Sequence, residues 1–287
     1  MILIIGSNGQ LGRQMQIALE MRGKAFLALD YPDIDIAQLD SMKRLIEDMN
    51  PAAVVNCAAY TNVDKAEAEE ETAYNINALG AKNLAQICAD SHIELVHVST
   101  DYVFNGVPII ENGLARAYYE EDTCYPATAY GRTKLAGERF VQDGCDKWYI
   151  LRSAWLYGDG HNFVRTMLSL AETRDTLSVV NDQIGSPTST VDLAEAICAL
   201  IGTGEYGLYH ATCEGQCSWN DFAKRIFELA ERPVTVVPVT SEEYSKSYPS
   251  AAPRPKWSVL ENAHLKTLGK NVFKHWDDSL KEYLKSL

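Results

Sequence analysis

The chain opens MILIIGSNGQLG, and a glycine-rich turn entered straight from an apolar run leaves few folds open to the rest of the chain. Gly6, Gly9 and Gly12 permit a tight turn and close backbone approach, and the apolar spacing after them predicts a helix from about Leu11 to Arg22. Strand, turn and helix in that order aim backbone N–H groups at a phosphate, as in a dinucleotide-binding βαβ unit. Asp30 ends the next apolar run, AFLALD, at the distance where an acidic side chain accepts hydrogen bonds from ribose hydroxyls and opposes a 2′-phosphate. Arg13, just past the turn, works against that preference.

Alternation continues through the first half: a helix near Ser41 to Met49, AAVVNCAA, a helix over Ala73 to Ser91, IELVHVST, a helix beginning near Tyr130, and WYILRSAW. Near-continuous apolar strands separated by helices predict an α/β fold, a Rossmann-type doubly wound parallel sheet. After Trp155 the pattern loosens into helices over Asn162 to Thr173, Thr190 to Ile201 and Trp219 to Ala230, with LSVV, GLYHA and VTVVPV between them. The expected division is 1–155 with 177–210 for the dinucleotide, and 156–176 with 211–287 as a smaller, discontinuous substrate domain. Ser241 to Trp257, carrying Pro249, Pro253 and Pro255, reads as an irregular loop.

Composition narrows the function classes. A net charge of −13 over 287 residues argues against nucleic-acid binding, which needs Lys and Arg on phosphates. No apolar stretch reaches the ~18 residues of a membrane span, and MILIIG lacks the basic start of a signal peptide, so a cytoplasmic protein without membrane contact is expected. Seven cysteines at irregular spacing do not read as a disulfide framework, and Cys213 and Cys217 have no second pair to complete a zinc site, so no metal is expected.

Tyr130 and Lys134 stand one helical turn apart in AYGRTKLAGE, and Thr100 ends a strand upstream. The ammonium is expected to lower the phenol pKa from its usual ~10, leaving Tyr130 to protonate a carbonyl oxygen that Thr100 also holds, while Lys134 binds a nicotinamide ribose.

The glycine turn, a hydroxyl residue leaving a central strand and YxxxK together resemble the extended short-chain dehydrogenase/reductase family. NCAAYTNVDKAE, STDYVF, SAWLYG, NDQIGSPT and RPKWS extend the likeness to its nucleotide-sugar reductases over essentially the whole chain. The resemblance implies reduction, with NADPH or NADH, of the C4 ketone of a dTDP-linked 4-keto sugar, in a pathway feeding cell-surface polysaccharide. By motif it makes Thr100, Tyr130 and Lys134 catalytic and lines the dinucleotide with Gly6, Asn8, Gly9, Gln10, Leu11, Gly12, Asp30, Asp35, Ile36, Ala58, Ala59 and Tyr60. Asp101 and Trp155 would meet the sugar, and Arg254, helped by Lys256, the diphosphate.

Some relatives dimerise through a magnesium ion held by acidic side chains. Gln14 and Val191 stand at the matching positions and supply no carboxylate, so a monomer or a weak, metal-independent oligomer is expected. The segment from Phe104 to Tyr130 is longer than usual for such reductases, and its Glu120, Glu121 and Asp122 are expected to be a solvated loop. Two other readings stay open: a reductase or epimerase of another nucleotide 4-keto sugar, and a non-catalytic regulatory subunit of the methionine adenosyltransferase type.

Overall fold

Side chains along the first strand alternate between two helical layers: Ile2 and Ile4 join one buried cluster and Leu3 and Ile5 the other. The structure, a computed structural model, describes residues 1–287. Six parallel strands form the sheet, in the spatial order Phe26–Leu29, Ile2–Ile5, Ala53–Asn56, Glu94–Thr100, Trp148–Ser153 and Gly207–His210. Helices Gln10–Met21 and Thr190–Leu200 cover one face through Leu11, Met15, Leu19, Leu193 and Ile197. Leu39–Met49 and Ala81–Asp90 cover the other, where Met42, Ile46, Leu84 and Ile87 are buried. This is the doubly wound sheet that the alternation predicts.

The chain reverses its order across the sheet between Ile2–Ile5 and Ala53–Asn56, and in open α/β sheets ligands bind outside the strand ends at such a point. Gly6 leaves the first strand there with φ +78°, and a Cβ on it would lie 2.5 Å from the Ala58 nitrogen. A Cβ on Gly12 would lie 2.2 Å from the Gly6 oxygen, so turn and helix are packed backbone on backbone.

The helix expected over Ala73 to Ser91 is interrupted. It runs as Glu70–Tyr74, a π turn over Asn75–Gly80, and Ala81–Asp90. The π turn carries Asn77, whose side chain accepts from the Tyr60 N–H (2.8 Å) and donates to the Tyr60 carbonyl (3.1 Å) and to the Thr133 hydroxyl oxygen (3.0 Å). A local widening of the helix thus pins the segment after the third strand.

A third buried cluster, with Tyr157, Val164, Val179, Phe222, Ile226 and Leu280, forms the other part of the molecule. Within it Thr176–Val180 pairs in parallel with Thr235–Val239, outside the six-stranded sheet.

Two expectations need correction. Ser241 to Trp257 is not wholly irregular: Ser241–Ser247 is a helix, because Thr240 accepts from the Glu243 N–H while Glu243 accepts from the Thr240 N–H. Nor are Glu120 and Asp122 solvated. Glu120 is buried and accepts backbone N–H groups from His210 (3.0 Å) and His264 (3.1 Å), and Asp122 takes a two-pronged bond from Arg116 at 2.6 and 2.8 Å. Only Glu121, paired with His264, is exposed as expected. The seven cysteines are unpaired, and no helix is long and apolar enough to cross a membrane.

Candidate active site

Four neighbouring strands deliver residues to the carboxyl edge of the sheet. Ile2–Ile5 leads into the turn Gly6 to Gly12, Phe26–Leu29 into Asp30, Ala53–Asn56 into Ala58, Ala59 and Tyr60, and Glu94–Thr100 ends on Thr100 itself. The helix Gln10–Met21 begins at Gly9 with no side-chain cap and no acidic residue in its first turn. Its first N–H groups, among them those of Gln10 and Leu11, are therefore open to an anion. Asp30 accepts from the Asn8 N–H at 2.7 Å and from the Tyr31 N–H at 2.8 Å, so it fixes the turn as well as facing it. Arg13 donates to the Asp159 carbonyl at 2.7 Å. Asp35 accepts from the Ala37 N–H at 2.9 Å, and Ile36 is buried where a Cβ on Gly80 would meet it at 2.7 Å.

Thr128 caps the helix Ala129–Gly144, accepting the Gly131 N–H at 3.0 Å, and so sets where Tyr130 stands in the first turn. The phenol ring meets that of Tyr102 edge to face at 5.5 Å. Thr100 donates to an Asp101 carboxylate oxygen at 3.1 Å and accepts from the Tyr102 N–H at 3.2 Å. Farther along the helix, Glu138 receives the buried Arg152 guanidinium at 2.7 Å and the Ser99 hydroxyl at 2.5 Å. Lys134 and Glu138, one helical turn apart, thus face His97 and Ser99, two residues apart on the strand.

One electrostatic expectation fails. The Lys134 ammonium nitrogen is buried and turned to the Val98 carbonyl at 2.7 Å, away from the phenol. The Tyr130 pKa is not lowered but pushed up to about 12: burial raises it, the Thr100 hydroxyl opposes this, and the charge of Asp101 adds to it. Lys134 itself is drawn down to about 8 by burial, against the opposing charges of Glu138 and Cys57. Burial also raises the Asp101 carboxyl to about 6, against hydrogen bonds from Ser258 and Thr100.

A cleft of 1020 Å³ opens beside this edge, lined by Asp101, Tyr102, Trp155, Trp219, Arg254 and Ser258 among others. Trp155, at φ +50°, lies flat on Trp219 with ring centres 3.5 Å apart. Arg254 is ion-paired with Asp64 at 2.6 Å, and the same carboxylate holds Ser250 at 2.5 Å and the Ala252 N–H at 3.1 Å. Lys256 is exposed and pairs with Asp182 at 3.3 Å. Trp219, Asp64 and Ser258 escape the sequence reading; the first follows a visible capping motif, Ser218 to Asp221, but nothing local reveals the stacking.

A parallel sheet with a glycine turn at its switch point, and a tyrosine beside a cleft at its carboxyl edge, defines a Rossmann-type reductase. The chain belongs to the family described as the RmlD substrate binding domain, which matches residues 1–287. It is an oxidoreductase, and it is similar to a dTDP-4-dehydrorhamnose reductase of Clostridium acetobutylicum, with 46% identity, a TM-score of 0.94 and coverage of 99% of this chain and 98% of that one. The Bacillus anthracis dTDP-4-dehydrorhamnose reductase, solved in complex with NADP, is 40% identical with a TM-score of 0.93, covering 100% of this chain and 99% of that one. A dTDP-4-keto-6-deoxy-D-glucose reductase of Streptomyces niveus is 40% identical over 97% of this chain and 94% of its own length.

Proposed function

We propose that this protein uses NADPH or NADH to reduce the C4 ketone of dTDP-4-dehydro-β-L-rhamnose to dTDP-β-L-rhamnose. The observation that carries the reading is the Tyr130 phenol, set in the first helical turn by the Thr128 cap, beside the Thr100 hydroxyl and packed on Tyr102, which with Asp101 lines the cleft. The uncapped helix start, the Gly6 to Gly12 turn and Asp30 fit a dinucleotide, whose nicotinamide supplies hydride chemistry at the carbonyl carbon. With its pKa near 12, Tyr130 is a protonated phenol at neutral pH and delivers its proton to the ketone oxygen as that oxygen becomes an alkoxide. Thr100 hydrogen-bonds the same oxygen. Lys134, one helical turn along, holds the nicotinamide ribose and returns a proton to the tyrosinate.

The two-part division is retained with one amendment: Thr176–Val180 goes with the substrate part, because it pairs with Thr235–Val239. Where the two parts meet, Trp155, backed by Trp219 of the substrate part, offers the sugar a flat wall, and Asp101 accepts from its hydroxyls. Arg254, already oriented by Asp64, answers the diphosphate. A second reading, reduction of another dTDP-4-keto sugar, is supported by the likeness to the Streptomyces niveus enzyme. Tyr130→Phe tests the common chemistry: kcat should fall about 10²- to 10⁴-fold with nucleotide binding retained. Near-native turnover in that variant would remove Tyr130 as the acid.

A further inference from the structure

His97 lies on the central strand Glu94–Thr100, in register with Asn56 of the neighbouring strand, and has no part in the chemistry above. His97 is 1% exposed, Asn56 2% and Lys134 2%, so their hydrogen bonds are made with one another and not with solvent. The Asn56 side-chain oxygen accepts the Ala58 N–H at 3.1 Å, which orients its NH2 toward His97 Nδ1, also at 3.1 Å. Nδ1 is therefore an acceptor, and the neutral ring carries its proton on Nε2. Nε2 faces Lys134 Nζ at 3.5 Å, while Nζ donates to the Val98 carbonyl. An N–H pointing at an ammonium sets donor against donor; the same N–H pointing at an amine makes a hydrogen bond.

We propose that His97 is a positioning residue that acts through Lys134: held in its Nε2–H tautomer by Asn56, it favours the amine over the ammonium and keeps the lysine proton easy to release. This rests on the functional reading above only for the use made of that proton, which is the return of a proton to the Tyr130 tyrosinate. The groups facing Lys134 are His97 and the Val98 carbonyl on the strand, Cys57 after the neighbouring strand, and Glu138 on its own helix. Glu138 and Cys57 both favour the ammonium, but Glu138 is already engaged by Arg152 and Ser99. His97 does not become a competing cation, since burial and the charge of Lys134 drive its pKa well below the ordinary histidine value.

Two substitutions remove the effect by different routes. His97→Phe deletes the opposing N–H while keeping a ring. Asn56→Asp keeps the shape but accepts from Nδ1–H, which turns the Nε2 lone pair toward the ammonium. The readout is the titration of the Lys134 Cε resonance in 13C-lysine-labelled, cofactor-free protein, assigned by its loss in Lys134→Met, together with the pH profile of kcat/KM. In the unsubstituted protein the resonance is expected to titrate at about pH 8. Both variants should move it upward by about one unit, and the high-pH fall in activity should move up with it, because that fall follows loss of the ammonium. A Lys134 titration unmoved in both variants overturns the proposal, even if kcat drops. A moved titration in a protein that reduces no nucleotide sugar would sustain the assignment of His97 and count against the functional reading instead. Should His97→Phe fail to fold, His97→Met, which also deletes the opposing N–H and adds no charge, takes its place.

Discussion

Asp30 illustrates how one carboxylate serves two ends at the scale of a residue. Its oxygens already take the Asn8 and Tyr31 N–H groups, and each keeps a lone pair free for a further donor, the role proposed for it toward an adenosine ribose. Replacing it with alanine removes a charge that repels a 2′-phosphate, so Asp30→Ala should raise the NADPH to NADH preference in kcat/KM on the order of tenfold. An unchanged ratio would show that selection lies elsewhere. Tyr130 and Lys134 are legible as a pair because helical spacing is a local property of the chain. The direction of the lysine is not, since it depends on the Val98 carbonyl and His97, which reach it only through the packing of a strand under the helix. Arg254 can be singled out by residue type, whereas its anchor Asp64 stands 190 residues earlier with nothing in the sequence to join them.

Elements are easiest to foresee where one period runs unbroken. The first strand, the glycine turn and the first helix follow from MILIIGSNGQLG because each glycine answers a local steric demand, at Gly6 and Gly12 above all. Gly12→Ala brings a methyl against the Gly6 backbone oxygen, an atom unable to swing aside. We expect it to cost about 1–3 kcal/mol of stability, read as a lowered unfolding midpoint, and to weaken dinucleotide binding measured by calorimetry. Unaltered midpoint and binding would mean that the turn is not packed as described. The helix Ser241–Ser247 is hidden from a reading of the chain although TSEE is a capping-box pattern, because three nearby prolines outweigh it. The π turn at Asn75–Gly80 has no comparable mark, since its width is set by what Asn77 bonds on the neighbouring segment.

For the whole molecule, the alternation of strands and helices announces the sheet, and the sheet places the glycine turn, Asp30, Ala58 to Tyr60 and Thr100 along one edge. The cleft is less accessible to sequence reasoning because its walls come from both parts of the chain: Asp64, Asp101 and Trp155 from the sheet side, and Trp219 and Arg254 from the other. Asp64 ties the two sides together by holding Ser250, Ala252 and Arg254 at once. Such a cleft suits a ligand that sets a ring against the tryptophans and an anionic group beside Arg254, as a nucleotide sugar can with its sugar and the adjoining diphosphate. The most direct test is to follow nicotinamide oxidation by the purified protein with dTDP-4-dehydro-β-L-rhamnose, offering NADPH and NADH in parallel, and to identify the sugar product by NMR. Rapid oxidation with formation of dTDP-β-L-rhamnose is the predicted result. Dinucleotide binding without oxidation of this substrate, alongside turnover of a different dTDP-4-keto sugar, would contradict the substrate assigned here.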